Sequence, residues 1–443
     1  METHFLEVSQ MTTNHPVKQE KNSYRIKYIN VLEHFVQKYS KDDLWATEEL
    51  HLYTKKLLDE GDPYSSHVFN FPKQFKEVIS TKFKPFSFFS YRYCLLMDCI
   101  FLCAYENIDK GKEILQDFFT YCPKRYHKKL QALFDFLFDP SRKIDHIEKI
   151  EYMKDCWEQN RVFLTQEPIK VIITANMSAG KSTLLNALVG KKVNKTQNDA
   201  CTAKIHYIKN KPFEDSLCYE WDYLLDLDAD HQTLMEDNQS NCGNFITVGT
   251  HFRTIPPITK RLWLIDTPGV NSSRDIAHKQ LAEDTILSSS ADLMIYLLNG
   301  ENIGTCDDRK HLIFISEHYR GNILFVVNKV DRFRKNEDSV HATLQTLTNE
   351  LIELGFASPM VVPISSYAAY LAKMKIAGEI LDEDEQDEFN RLARKLKQPE
   401  YQFNSYYPDS VQSSVNISCD TDTLQLLMHS GVLHLEHMIY TIR

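Results

Sequence analysis

In 175-ANMSAGKS-182 a lysine, Lys181, follows a run of small residues and precedes two hydroxyls, Ser182 and Thr183. The apolar run 169-IKVIITA-175 comes before it, and a helical pattern comes after. A chain that leaves a strand, turns through small residues and enters a helix can wrap successive backbone N–H groups around phosphate oxygens. The positive end of the new helix faces the same charge. In that arrangement the backbone of Asn176, Met177, Ser178, Ala179 and Gly180 forms the cradle. Lys181 reaches the β and γ phosphates, Ser182 offers its hydroxyl to Mg²⁺, and Thr183 lies beside the α phosphate. Ala175 stands where the pattern usually has its first glycine, and being one methyl larger it requires a negative φ there.

A helix start carrying Gly-Lys-Ser by chance is the bland alternative. Further motifs, in order along the chain, weigh against it. At 266-DTPG-269 a strand ends in Asp266, a carboxylate suited to holding a water of the Mg²⁺ shell. Gly269 can present its N–H to the γ phosphate and rearrange when that phosphate leaves. At 328-NKVD-331 another strand ends in a base-reading set. Asp331 can accept from the paired N–H donors of guanine, a pair that adenine lacks, so the implied nucleotide is GTP or GDP. Asn328 can tie the base loop to the phosphate loop, and the Lys329 stem can cover the base. The next strand ends in 363-PISS-366, where Ser365, Ser366 and their backbone can close over the base. Between the first two motifs, a hydroxyl is needed that meets Mg²⁺ only when the γ phosphate is present. Thr202 is the best placed, just before the apolar run 204-KIHYI-208, and Thr196 is the alternative.

These loops need a scaffold. From Ile169 onward short apolar runs alternate with amphipathic stretches: 169–175, 204–208, 261–266, 292–298, 322–327 and 360–365. That alternation is the signature of a mostly parallel sheet covered by helices. The polar segment 211–255 has room for an edge hairpin and a surface loop. Upstream the pattern is helical. Ile26, Ile29, Leu32, Phe35 and Val36 recur at three and four, and further helices are expected over 47–60, 87–107, 111–122, 126–138 and 142–164. Residues 1–20 are polar and expected to be flexible. The division is therefore 1–20, a helical domain over 21–165, and an α/β domain over 166–443.

Charged residues at 25% and apolar residues at 43% describe a folded chain rather than a disordered one. A formal charge of -10 gives no general attraction to nucleic acid. The ten cysteines show no zinc-like spacing. The first 20 residues lack the continuous apolar core of a signal peptide, and no run of 18 apolar residues occurs. A cytoplasmic location, at most peripheral to a membrane, is expected.

The strings 178-SAGKSTLLNALVG-190, 255-IPPITKRLWLIDTPGVNSS-273, 301-ENIGTCDDRKHLIFI-315 and 430-SGVLHLEHMI-439 go beyond generic motifs. Over about 165–443 the sequence resembles the dynamin superfamily, bacterial dynamin-like proteins in particular. The resemblance implies an α/β P-loop GTPase domain with a mostly parallel central sheet, preceded here by an all-helical N-terminal domain. It implies GTP hydrolysis carried by Ser178, Lys181, Thr202 and Gly269. Mg²⁺ would be held by Ser182, Thr202 and Asp266, with a monovalent cation, K⁺ or Na⁺, beside Ser178. It also implies a homodimer formed through the GTPase domains, self-assembly, and a lipid membrane to be remodelled. Members continue into a helical stalk, whereas this sequence ends at 437-HMIYTIR-443, so the resemblance implies a piece of a longer protein or a partner that supplies the rest. Met177 departs from the glutamine of eukaryotic members, which leaves the group that positions water unassigned. Two other functions remain open from the residues: a regulatory GTPase whose helical domain binds a protein or ribosomal partner, and a nucleotide-binding assembly module that does not hydrolyse.

Overall fold

The computed structural model describes residues 7–58, 70–80, 82–84, 87–139, 141–142, 144–145, 147–176, 178–193, 204–229, 245–254, 260–268, 276–288, 290–334, 338–408 and 419–442. The chain divides into two compact units, residues 1–165 with 225–228, and residues 166–224 with 229–443.

The first unit is built on helices: α1 (Val8–Thr13), α2 (Asn22–Tyr39), α3 (Leu44–Leu57), α4 (Phe71–Ile79), α5 (Arg92–Cys99), α6 (Ile108–Tyr121), α7 (His127–Phe138) and α8 (Glu151–Thr165). Three expectations need correction here. Residues 7–20 are not loose, because Val8, Met11 and Val17 are buried and the Tyr152 hydroxyl donates to Met11 O at 2.8 Å. The unit is not all-helical, since Lys82–Lys84 and Ser87–Phe89 pair as an antiparallel hairpin. The expected helix over 142–164 begins only at Glu151. Its apolar spacing is real, with Ile147, Ile150, Met153 and Trp157 buried, but the first two of these sit in turns.

Inside this unit the fully buried Asp98 carboxylate accepts from Tyr28 Oη (2.5 Å) and Tyr53 Oη (3.1 Å) and lies 3.0 Å from His15 Nε2. Cys94 Sγ is 3.3 Å from the same nitrogen. His15, Cys94 and Asp98 are close enough together to hold a metal ion. The imidazole argues for a hydrogen-bond network instead. Its Nδ1 accepts the Val17 N–H at 3.3 Å. Nε2 therefore carries the proton, donates it to Asp98, and offers no lone pair to an ion.

The second unit contains strands β1 (Ile169–Ala175), β2 (Ile205–Asn210), β3 (Cys218–Trp221), β5 (Phe245–Thr250), β6 (Leu262–Asp266), β7 (Leu293–Asn299), β8 (Ile323–Asn328) and β9 (Met360–Pro363), while all but the last residue of β4 (Leu225–Ala229) falls in the first unit. Within the second unit their order is β9-β8-β7-β1-β6-β2-β5-β3. The five from β9 to β6 run parallel. β2 is antiparallel to β6 but parallel to β5, and β3 returns antiparallel to β5. The segment 211–255 thus extends the sheet by more than a hairpin. Thr247, Gly249 and Thr250 interrupt the apolar pattern of β5, although the strand is buried over most of its length.

Six of the seven residues of β1 are buried, as a strand covered on both faces requires. Each large aliphatic side chain placed there contributes roughly 1.5–3 kcal/mol. Helices α9 (Lys181–Val189), α10 (Ile276–Ser288), α11 (Cys306–His318), α12 (Val340–Glu353), α13 (Ser366–Ile376), α14 (Glu383–Lys395), α15 (Thr421–His429) and α16 (Val432–Thr441) complete the unit. Lys373 of α13 forms a buried ion pair with Glu436 of α16 and donates to Leu188 O of α9 at 3.2 Å. One side chain thus joins the helix after the phosphate loop to the last helix. Among the described residues, no helix is long and apolar enough to cross a membrane.

Candidate functional site

Parallel strands deliver their C-terminal ends to one edge of the sheet, and the order changes direction around β1, which lies between β6 and β7. Loops leaving that edge meet in a crevice, the usual ligand position in such sheets. Register fixes which residues meet. Asp266 pairs with Ile173, and Asn328 with Asn299.

The turn from β1 to α9 carries two left-handed residues, Ser178 (φ 63°) and Gly180 (φ 90°). Gly180 caps α9 from that conformation. A Cβ there would also come within 2.4 Å of Asn328 Nδ2, so glycine is required twice over. The buried Asn328 side chain explains the close approach. Its Nδ2 donates to Ala179 O at 2.9 Å and its Oδ1 accepts from Ser366 N at 3.0 Å. A single amide therefore fastens the phosphate loop to the loop after β9.

Lys329, at φ 64°, turns its ammonium back to Ser178 O at 2.6 Å. Burial, with Arg332 nearby, pulls that ammonium below its ordinary pKa. Asp331 is 5% exposed. Burial pushes its carboxyl above the usual range, while the Ser365 hydroxyl, Arg391 and Arg332 pull the other way without cancelling it. Ser365 also caps α13, accepting from Ala368 N at 3.3 Å, and its own N–H donates to Ser430 O at 2.9 Å. The base-loop residues are thus held against the start of the last helix.

On the phosphate side, Lys181 pairs with Asp266, whose carboxylate is fully buried. Ser182 and Thr183 open α9 and are half-buried. A serine hydroxyl and a carboxylate are hard oxygen donors of the kind Mg²⁺ takes, and the buried charge of Asp266 already requires a cation beside it. The residues present therefore fit the ion. Of the expected site, Asn176, Ser178, Ala179, Gly180, Lys181, Ser182, Thr183, Asp266, Asn328, Lys329, Asp331, Ser365 and Ser366 lie on this one edge. Met177, Thr196, Thr202 and Gly269 lie outside the described residues.

Sequence reasoning missed several supports. Asn299, at the end of β7, donates Nδ2 to Ser178 O at 3.4 Å. Asn176 donates to Asp308, which is itself held by Thr305 Oγ1 at 2.8 Å. The Thr-x-x-Asp spacing of 305–308 is a readable helix-start signal, because Thr305 caps α11. Arg391 of α14 reaches Asp331 at 3.9 Å, and no local signal announces it.

Residues 171–330 match the model of the dynamin family. Among curated proteins, the Arabidopsis thaliana protein described as probable transmembrane GTPase FZO-like, chloroplastic, is 25% identical over 219 residues, covering 49% of this chain and 21% of that relative. Dynamin-like protein A of Bacillus subtilis (strain 168) is 28% identical over 171 residues, covering 39% of this chain and 14% of the relative. The chain thus spans only a small part of either relative's length. A crystal structure of Aquifex aeolicus Era with GDP and aluminium fluoride shares 19% identity over 44% of this chain and 50% of its own, with a TM-score of 0.28.

Proposed function

We infer, from the premise that residues 171–330 form the GTPase domain of a dynamin superfamily member, that this chain binds GTP with Mg²⁺ and hydrolyses it to GDP and phosphate. The observation that carries the reading is the Asn328 bridge. It stands at the end of the strand that leads into the buried Asp331 carboxylate, and it ties a cradle built for phosphate to the loop after β9, so the two halves of a nucleotide site are fastened together.

In this reading the loop amides from Asn176 to Gly180 and the N-terminus of α9 hold the phosphates. Lys181 leaves Asp266 for the β and γ oxygens when nucleotide arrives. Ser182 and Asp266 would hold Mg²⁺, which would supply positive charge against the phosphates. Asp331 accepts from guanine, the Lys329 stem covers the base, and Ser365 and Ser366 close it. Ser178 helps place a monovalent cation. Thr202 orders the attacking water and completes the metal shell, and Gly269 senses the γ phosphate. Attack in line needs positioning and charge stabilisation more than a strong base.

The finer reading is turnover coupled to homodimerisation through the GTPase domains and to work at a lipid surface. It draws on the family and on a relative described as a transmembrane GTPase. Phosphate release from GTP and ATP, by the wild type and Lys181→Ala, tests the core reading. Release from GTP well above both ATP and the variant is expected. A wild-type rate no higher than the variant's would leave only a nucleotide-binding module. Nucleotide-dependent change in mass, and pelleting with liposomes, test the finer part.

A further inference from the structure

Beyond Asp331 the chain does something the nucleotide site does not require. Helix α14 opens on an Asp382–Glu385 capping box with acidic residues in its first turn, and it ends in basic ones. Arg391, Arg394 and Lys395 stand at i, i+3 and i+4, so they share one face. Arg332 and Arg334 flank Phe333 in the turn that follows the base-reading motif. Phe333 is buried, and its carbonyl accepts from Lys395 Nζ at 2.6 Å and from Tyr401 Oη at 3.1 Å. These two bonds lace the turn to α14 and to the residues after it. They lie in a cleft of about 550 Å³ whose lining, among the described residues, includes all five cations and no carboxylate.

Carboxylates also stand near these cations: Glu388 with Arg391 at 2.8 Å, Glu301 with Arg332 at 3.2 Å, and Asp338, which takes the Arg334 backbone N–H at 2.9 Å and lies within electrostatic reach of Lys395. Asp331 lies 3.9 Å from Arg391. The cleft still concentrates positive charge in a chain whose formal charge is -10. Like charges brought together repel one another, and an anion bound among them would offset that repulsion. Four of the five cations are arginines, whose planar forks match phosphate oxygens two at a time. The volume falls within the roughly 300–1,000 Å³ of small-molecule sites. The acidic remainder of the chain disfavours a long polyanion such as nucleic acid.

We propose that the cleft between the 332–334 turn and α14 binds a small anion carrying several phosphates, either free in solution or as the headgroup of a lipid. The lining includes no residue of the phosphate loop, and the test is run without GTP.

Inositol hexakisphosphate, titrated calorimetrically into the full chain without nucleotide, is expected to bind saturably at one site. Arg334→Glu/Arg394→Glu is expected to weaken it about a hundredfold, about tenfold for each lost guanidinium contact. Both side chains are exposed, so the thermal midpoint should hold. Arg334→Lys/Arg394→Lys, which keeps the charge, should lose less than the reversal. Sedimentation with phosphatidylcholine vesicles, with and without one-tenth phosphatidylinositol bisphosphate, separates the sources. Pelleting that needs the phosphoinositide and fails in the charge-reversed variant supports the headgroup. Binding of the soluble probe without pelleting supports the free anion. No saturable binding of either kind, or binding indifferent to both arginines, would overturn the site. So would tighter binding of polyglutamate than of the phosphate probe, because the cleft would then be a peptide surface.

Discussion

Gly180→Ala puts the link between phosphate loop and base loop under a measurable load. The added Cβ has two effects that separate. It must sit at φ 90°, which costs about 1–2 kcal/mol for a residue with a side chain. It would also lie 2.4 Å from Asn328 Nδ2, so that amide must move. Moving it breaks the bonds to Ala179 O and from Ser366 N, each worth about 0.5–1.5 kcal/mol net. The backbone strain is present with or without nucleotide, and it should appear as a lower thermal midpoint. The displaced bridge should appear in affinity, as about 2 kcal/mol or roughly thirtyfold for a fluorescent GDP analogue. Asn328→Ala should reproduce most of that loss. With the amide removed, the other atom near the new Cβ is Lys329 Cε at 3.8 Å, an ordinary contact. In the double variant the glycine change should therefore cost stability but almost no further affinity. A cycle in which the two affinity losses simply multiply would refute the steric argument, because it would mean that each residue acts alone.

Nucleotide affinity should also fall on acidification, starting above the usual carboxylate range near pH 4, because burial raises Asp331 and only its ionised form accepts both guanine donors. Nucleotide favours the ionised form, so its own binding lowers that pKa; a flat affinity profile down to pH 4 would contradict this. Glu436→Gln should lower the unfolding free energy from denaturant titration by about 3–5 kcal/mol, because it leaves the Lys373 ammonium buried without its carboxylate, whereas Lys373→Met/Glu436→Leu should recover most of the loss. In the helical unit, Asp98→Ala deprives Tyr28, Tyr53 and His15 of their acceptor and should lower the thermal midpoint of the chain by several degrees. A chelator should leave that midpoint unchanged, and a chelator-sensitive midpoint would reinstate a metal at His15, Cys94 and Asp98.

What the sequence made legible is what local chemistry writes. β1 was readable because a strand buried on both faces is a continuous apolar run, and the motifs because each needs particular atoms at a strand end. The helices with long regular stripes, α2, α3, α6 and α7, were readable too. α4 escaped because 71-FPKQFKEVI-79 is only two and a half turns long. β5 escaped because threonines and a glycine sit where a buried strand would show aliphatics. Residues 7–20 looked loose because three buried positions make too short a stripe to stand out. Asn299, Asp308 and Arg391 belong to another class. Each meets its partner only after strands distant in sequence have been set side by side, so no window of sequence contains the contact.

The Lys181–Asp266 pair bears on how the test of hydrolysis is read. A carboxylate with no solvent exposure needs a positive charge beside it in every state the protein occupies. Without nucleotide that charge is Lys181. In the proposed reading, nucleotide would draw Lys181 to the phosphates and Asp266 would help hold Mg²⁺ instead, so one buried anion would be matched by a different cation in each state. Removing the lysine therefore damages the free protein as well as the reaction, by about 3–5 kcal/mol if the carboxylate stays charged. Loss of phosphate release in Lys181→Ala could then come from unfolding alone. Lys181→Met/Asp266→Asn separates the two causes: without the buried charge, the free chain should regain its thermal midpoint while remaining inactive. If Lys181→Met by itself melts with the wild type, the pair carries no load in the free state and the exchange of cations is wrong.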